Sequence, residues 1–272
     1  EEQFTAAIEI QPDYPFAYSD RGMARALQYH LSDAEADLTV AVDLNPGYYW
    51  HHIDRGRVRM ELRKFPDAIT DFTEAIAINP RHFLGYAQRA SASDALERYE
   101  DALRDYREVL RIRPDYYPAW APIAVSSFVS GDYALAFTYF DKAFQREDSR
   151  WDLALLASLS LKHQSMDKDS ERYLLEIVNT IPRDMIHYDM VRYYLAPGHE
   201  TYVMAQVQAE TNKLLKGQMY FYLGAQMELL GRIQTAQAAF LEAENLLQPG
   251  FVERRLASWR LQAYRTVQEG GS

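Results

Sequence analysis

Proline recurs at a constant spacing through the first half of the chain. Pro12, Pro46, Pro80 and Pro114 follow one another with a constant 34-residue step, and Pro182 lies two further steps along in the same register. Proline lacks a backbone N–H and disfavours helix in the residue before it, so each position predicts a turn. A 34-residue step is too short for a domain but matches two short helices and two turns. The sequence therefore predicts a row of helical hairpins.

Small and large residues keep the same register as the prolines. If proline is position 32, units begin at residues 15, 49, 83, 117, 151 and 185. Small residues at positions 8 and 20 let two helices approach closely, and a larger residue at position 24 fills the remaining space. In the first five units these positions hold, respectively, Gly22, Gly56, Ala90, Ala124 and Ser158; Ala34, Ala68, Ala102, Ala136 and Ser170; and Leu38, Phe72, Tyr106, Phe140 and Leu174.

This pattern resembles the tetratricopeptide repeat (TPR) family. The fourth unit carries it most fully, with Trp120, Ala124, Ala136, Phe140 and Ala143 at family positions. A unit starting at residue 217 repeats it with Tyr220, Leu223, Gly224, Ala236, Phe240 and Ala243. Two positions depart from the family, because arginine stands at position 7 (Arg21, Arg55, Arg89) and at position 11 (Arg25, Arg59). The resemblance implies an all-α fold, a right-handed α-solenoid of antiparallel helix pairs.

The resemblance also implies a division of the chain into segments. We expect the second helix of a truncated repeat at 1–14, four regular units at 15–148, and two degenerate TPR-like units at 149–216. A regular unit at 217–249 and a C-terminal capping helix at 250–268 complete the expected order. Because the chain begins inside a second helix, we expect a further segment before residue 1.

Composition removes several classes of function. The net charge of −10 disfavours binding to nucleic acid and to anionic membrane surfaces. The absence of cysteine excludes disulfides, thiolate metal sites and a cysteine nucleophile. No apolar run reaches the ~18 residues that a transmembrane helix needs. The adjacent pair His51 and His52 points about 100° apart on a helix and does not chelate one ion readily. We therefore predict no catalytic residue, no metal, no cofactor and no enzymatic activity.

The first helix of each hairpin carries the predicted binding surface. In TPR proteins, positions 2, 5, 6, 9, 12 and 13 line a concave groove. The candidate peptide-binding residues at such positions are Phe16, Asp20, Met23, Trp50, Asp54, Arg57, Met60, Glu61, Gln88 and Asp94. An apolar groove with scattered acids predicts a protein or peptide ligand with basic or apolar side chains. The carboxylate clamp of chaperone-binding TPR modules is absent, because its five positions hold Ser19, Met23, Asp54, Leu84 and Gln88.

A second resemblance concerns the last third of the chain. Val191–Leu195, Tyr220–Gly224 and Phe251–Arg254 are similar to segments of bacterial periplasmic TPR lipoproteins that act as adaptors. It implies a periplasmic, lipid-anchored protein, and a cytoplasmic location stays open. We predict a non-catalytic scaffold or adaptor that binds a partner in the groove. The alternatives are a self-associating structural solenoid, such as a homodimer, and the docking segment of a larger enzyme.

Overall fold

The computed structural model describes the backbone of residues 1–270 and the side chains of residues 1–266. Within that part of the chain the regular secondary structure is entirely helical, which confirms the all-α prediction. The α-helices are α1 (Glu2–Ile10), α2 (Pro15–Leu27), α3 (Leu31–Leu44), α4 (Tyr49–Glu61), α5 (Phe65–Ile78), α6 (Phe83–Ala95), α7 (Tyr99–Ile112), α8 (Trp120–Val129), α9 (Tyr133–Arg146), α10 (Trp151–His163), α11 (Asp167–Val178), α12 (Ile186–Leu195), α13 (Glu200–Ala209), α14 (Lys213–Leu229), α15 (Ile233–Leu246) and α16 (Val252–Gly270).

Consecutive helices pack as hairpins, most closely α2 on α3, α4 on α5, α6 on α7 and α14 on α15. The small residue at position 8 makes this packing possible. A Cβ added to Gly56 would stand 2.5 Å from Cε1 of Phe72, and one added to Gly224 would stand 2.8 Å from Cδ1 of Phe240. Glycine at position 8 and an aromatic ring at position 24 therefore fit one another across the hairpin.

A left-handed residue closes the first helix of successive hairpins. Tyr29 (φ 61°), Arg63 (φ 58°), Glu97 (φ 59°) and Gly131 (φ 83°) each stand one repeat period after the one before. In the first hairpin the N–H of His30 donates to the carbonyl of Arg25, which satisfies an end-of-helix acceptor. This conformation favours glycine, and only the fourth hairpin of these four has glycine there.

Proline changes the start of the fourth hairpin. The unit begins at Tyr117, but residues Tyr117–Ala119 form a 3₁₀ turn and the α-helix begins at Trp120. In an α-helix that began at Tyr117, Pro122 would lie beyond the first turn, where it cannot donate to the carbonyl of Pro118 and its ring clashes with that carbonyl, so the expected first turn does not form as α-helix.

The chain packs as two compact units, Glu1–Ala119 and Trp120–Ser272, called here the N-terminal and C-terminal units. In the N-terminal unit the buried side chains form small clusters within and between hairpins, such as Ala68, Phe72 and Ala92. The C-terminal unit has a continuous core that includes the fully buried rings of Tyr193 and Tyr222. None of the described helices is both long and apolar enough to cross a bilayer.

Candidate functional site

Arginines at position 7 pair with aspartates of the second helix in the first three hairpins. Arg21 and Arg89 each bind both carboxylate oxygens of their partners, Asp37 and Asp105, at 2.7–2.9 Å. In the second hairpin Arg55 Nη2 donates to Asp71 at 2.7 Å. The three aspartates are buried, so each guanidinium neutralises a carboxylate that would otherwise be desolvated without a counter-charge.

Arginines at position 11 extend this pairing to the preceding hairpin. Arg59 Nη1 donates to Asp71 at 2.9 Å, while its Nε donates to Glu35 of α3 at 3.0 Å. Lys64 Nζ donates to the other oxygen of Glu35 at 2.6 Å. Arg25 is arranged in the same way between Asp37 and Glu1. The two departures from the TPR pattern therefore form an ion-pair chain that joins neighbouring hairpins.

Two predicted groove residues, Phe16 and Trp50, lie in a row of aromatic rings at the hairpin junctions. The ring of Phe16 is 5.1 Å from that of Tyr48 and 5.3 Å from that of His51. The ring of Trp50 is 5.1 Å from that of His82. Both rings are half-buried. Contacts between these rings join successive hairpins near the N-terminal ends of their first helices.

His51 lies inside this row and has no polar partner among the described residues. The side chain is fully buried, and neither ring nitrogen makes a hydrogen bond. Burial lowers the pKa of the His51 imidazole to about 4, with a smaller contribution from neighbouring His52. His52 differs, because its Nε2 hydrogen-bonds the carbonyl oxygen of Pro46 at 2.9 Å. His51 is therefore a neutral aromatic packing residue at physiological pH.

A cleft between α2 and α4 brings three predicted groove residues together. Met23 of α2 and Arg57 and Glu61 of α4 line a space of about 240 Å³. Leu27 and Tyr29, at the end of the first hairpin's opening helix, complete one edge. These two side chains are 82% and 83% exposed and lie together on the same edge of the cleft. Leu27 stands at position 13, a groove position, but was not named among the candidates, and Tyr29 was missed because it stands in the turn after α2.

Acidic side chains lie beside this cleft. Asp54 is half-buried on α4, and its carboxylate is 3.6 Å from the guanidinium of Arg57. Burial raises the pKa of the Asp54 carboxyl to about 6; Arg57 opposes this rise and the negative charge of Asp20 adds to it. Asp20 is exposed on α2. The two acids at position 6 therefore lie close enough to influence one another, as the 34-residue spacing predicts.

The remaining predicted residues lie elsewhere in the N-terminal unit. Met60 packs against the cluster of Ala68, Phe72 and Ala92, where it is partly buried. Gln88 and Asp94 are half-buried on α6. None of these three lines the cleft between α2 and α4. Within the described residues, no group of three or more His, Asp or Glu side chains is arranged to hold a metal ion.

The C-terminal unit contains a buried acid that the sequence analysis did not single out. Glu253 Oε1 accepts hydrogen bonds from Tyr222 Oη and Gln218 Nε2, both at 3.0 Å. Burial, together with a smaller contribution from the charge of Asp152, raises the pKa of the Glu253 carboxyl to about 7. Tyr222 Oη also lies 2.9 Å from the carbonyl oxygen of Asp152. One phenol proton cannot serve both acceptors, and a protonated Glu253 removes the conflict by donating to Tyr222.

Comparison with known proteins identifies the repeat. Residues 85–116, which contain most of α6 and all of α7, match the sequence profile of the tetratricopeptide repeat. The chain has the tetratricopeptide repeat fold. No curated protein matches this TPR chain in sequence. The profile match lies on the third hairpin, where position 7 is Arg89, so the pair of Arg89 with Asp105 is compatible with a TPR hairpin.

Solved structures agree over most of the TPR chain. A tetratricopeptide repeat protein from Parabacteroides merdae is 20% identical, with a TM-score of 0.62, over 90% of this chain and 98% of its own. YrrB, described as a TPR protein with an unusual peptide-binding site, is 16% identical with a TM-score of 0.59, over 68% and 95%. MamA is 13% identical with a TM-score of 0.54, over 61% and 90%. These similarities establish the fold and give no support to the narrower resemblance to lipoprotein adaptors.

Proposed function

We propose that this TPR chain is a non-catalytic scaffold that binds a peptide segment with basic and apolar side chains along α2 and α4. Comparison with proteins of this fold supports the general part of the proposal, a scaffold for protein–protein interaction. The specific part, binding of a peptide along α2 and α4, rests on the cleft lined by Met23, Leu27, Tyr29 and Arg57. It combines exposed apolar side chains with a neighbouring pair of acids, which is the chemistry of a peptide groove.

One edge of the cleft exposes apolar side chains. Leu27 and Tyr29 each leave more than four-fifths of their surface in water, next to the half-buried side chain of Met23. Covering such side chains with apolar ligand atoms releases about 25 cal/mol for each Å² removed from water. Methionine adapts its shape to irregular partners, which suits a groove that accepts a peptide.

Two acids, Asp20 and Asp54, favour a ligand with basic side chains. Asp54 is desolvated and lies near Asp20, so its carboxyl holds a proton up to a pH of about 6. A lysine or arginine side chain placed beside the two acids favours the ionised carboxylate. Binding of a basic peptide should therefore release a proton, and affinity should rise as the pH rises through about 6. YrrB, whose description names a peptide-binding site, supports the class of ligand on the same fold.

The test compares two labelled 12-residue peptides, one of alternating lysine and leucine and one of alternating glutamate and leucine, by fluorescence anisotropy. We expect the lysine peptide to bind and the glutamate peptide not to bind. The double variant Asp20→Asn with Asp54→Asn should lose about tenfold in affinity for the lysine peptide, because two charge pairs of about 0.7 kcal/mol are removed.

A matched control removes the same number of charges from the exposed surface of α5. The control double variant Asp67→Asn with Glu74→Gln changes two exposed acids and should bind as the parent chain does. If neither peptide binds, or if both double variants lose affinity equally, the acids of the α2–α4 cleft do not form the site.

A further inference from the structure

A second cleft, of about 250 Å³, opens in the N-terminal unit among α5, α6 and α7. It lies at the place where the ion-pair chain of the first two hairpins is interrupted. The position of Arg59 in the second hairpin is taken by Ser93 in the third, and the position of Glu35 is taken by Ile69. The junction of the second and third hairpins thus lacks both the guanidinium and the carboxylate that pair at the junction of the first and second hairpins. A water molecule occupies about 30 Å³, so the space is large enough for a small organic molecule.

One wall of the cleft is a buried aspartate with a single cationic partner. Asp105 is 6% exposed and accepts hydrogen bonds from Arg89 at 2.7 and 2.8 Å. The equivalent aspartate, Asp71, binds two guanidiniums, those of Arg55 and Arg59. Asp105 therefore lacks the second arginine partner that Arg59 provides at Asp71.

Arg98 also lines the cleft, and it lacks a carboxylate partner. Arg98 occupies the position of Lys64, whose ammonium is 2.6 Å from Glu35. Because Ile69 replaces that glutamate, Arg98 makes no ion pair within the described part of the chain. The nearby pair of Arg104 with Asp101 is exposed and complete in itself. The cleft thus presents an acid with one guanidinium partner, where its repeat equivalent has two, and a base without an anion.

We propose that this cleft binds arginine, as the free amino acid or as the C-terminal residue of a peptide. The guanidinium of the ligand takes the place of Arg59 against Asp105, and its carboxylate takes the place of Glu35 against Arg98. A fork-shaped guanidinium matches a carboxylate bidentately, which an ammonium does not. In a C-terminal arginine the guanidinium and the carboxylate cancel in charge, and in the free amino acid the α-ammonium leaves one net positive charge. A ligand without the carboxylate adds more positive charge to the three arginines that already line the cleft.

The first test is calorimetric titration of the whole chain with L-arginine, agmatine and L-citrulline. Agmatine has the guanidinium without the carboxylate, and citrulline has the carboxylate with a neutral urea group. We expect L-arginine to bind at least tenfold more tightly than either. Gly-Gly-Arg and its C-terminal amide separate the two sources of the ligand. Binding of the tripeptide acid alone assigns the site to a peptide C-terminus, and binding of neither arginine nor the tripeptide overturns the proposal.

The decisive variant restores the missing ion pair. Ser93→Arg with Ile69→Glu rebuilds, between the second and third hairpins, the pair found between the first and second (Arg59 with Glu35), so the chain should fold with an unchanged or higher thermal midpoint. It should lose arginine binding completely. Unaltered arginine binding in this variant would place the ligand elsewhere and overturn the proposal.

The same variants separate this cleft from the peptide groove. The Ser93→Arg, Ile69→Glu chain should still bind the lysine–leucine peptide as the parent does, because both residues lie outside the α2–α4 cleft. The Asp20→Asn, Asp54→Asn chain should still bind arginine. Failure of one proposal therefore leaves the other measurable.

Discussion

Arg55 of α4 faces Asp71 of α5 across one hairpin, and its Nη2 donates to Asp71 Oδ1 at 2.7 Å. The side chain of Asp71 is 1% exposed, so its charge is held almost entirely by Arg55 and Arg59. The same relationship recurs one repeat period before and one after, at Arg21 with Asp37 and at Arg89 with Asp105. In the fourth hairpin, residues 123 and 139 occupy the equivalent positions, and they are isoleucine and tyrosine. The pair of arginine at position 7 with aspartate at position 23 is thus a property of the first three hairpins.

Replacing Arg55 by methionine should destabilise the chain strongly. Asp71 would remain buried with one guanidinium in place of two, and removing one partner of a buried pair costs about 3 kcal/mol. The free energy of unfolding in urea measures the loss. The control is Arg104→Met, which breaks an exposed pair with Asp101 and should cost about 0.5 kcal/mol. Equal losses in the two variants would show that burial of Asp71 has no part in the stability of the hairpin.

Replacing Tyr29 by glycine should stabilise the chain. Tyr29 has φ 61°, a conformation that costs a residue with a side chain about 1 kcal/mol and glycine almost nothing. Its side chain is 83% exposed, so little buried surface is lost. The reverse change at the equivalent turn, Gly131→Ala, should destabilise by about the same amount, because an added Cβ meets no atom within 4 Å and only the backbone is strained. Thermal midpoints check both, and a decrease for Tyr29→Gly would contradict the interpretation.

Gly56→Ala should destabilise the second hairpin by overpacking. The added Cβ would stand 2.5 Å from a ring carbon of Phe72, and forcing an extra carbon into a packed interface costs about 2 kcal/mol. Phe72→Leu removes the ring atoms in question. The double variant should therefore be more stable than the sum of the two single losses predicts. Residues in contact couple by about 0.5 kcal/mol or more in a double-mutant cycle, and strict additivity would show that these two residues are not in contact.

Glu253 should make the stability of the C-terminal unit depend on pH. Its pKa is about 7 in the folded chain and 4.5 in the unfolded reference, so the folded state binds the proton more tightly. This contribution is fully present below pH 4.5 and is lost as the pH rises to about 7, at about 1.4 kcal/mol for each pH unit.

Glu253→Gln keeps the shape of the protonated acid and removes its titration. We expect the variant to be more stable than the parent above pH 7 and its urea midpoint to vary less between pH 5 and 7. The control, Glu242→Gln, changes an exposed carboxylate on α15 and should retain the pH dependence of the parent. An unchanged slope in Glu253→Gln would assign the titration to another group.

The periodic residues made the fold predictable. The proline spacing, the glycines at position 8 and the rings at position 24 report local packing between neighbouring helices, and Gly56 lies against Phe72 as that pattern requires. The start of α8 lies at Trp120 and not at Tyr117, because Pro122 cannot make the backbone hydrogen bond that a helix beginning at Tyr117 would need. The buried cluster of Glu253, Tyr222 and Gln218 was not predictable, because Glu253 lies on α16, after the last repeat unit, although Gln218 and Tyr222 stand at positions 2 and 6 of the unit that begins at residue 217.

The candidate site was predictable in part. Met23, Arg57 and Glu61 meet in one cleft because their helical positions recur with the repeat period. Tyr29 was missed because it lies in a turn, where the helical period does not indicate which side chains face the groove. The partners of Arg21, Arg55 and Arg89 were also missed, although aspartate recurs at position 23 with the same period and could have indicated them.

Photocrosslinking tests the central claim, peptide binding along α2 and α4, most directly. A photoreactive phenylalanine derivative placed at Arg57, which is exposed in the cleft, should crosslink to the labelled lysine–leucine peptide. The same group at Glu74, exposed on α5, should not. An excess of unlabelled peptide should abolish the crosslink from position 57. Crosslinking from position 74 with none from position 57 would contradict the account.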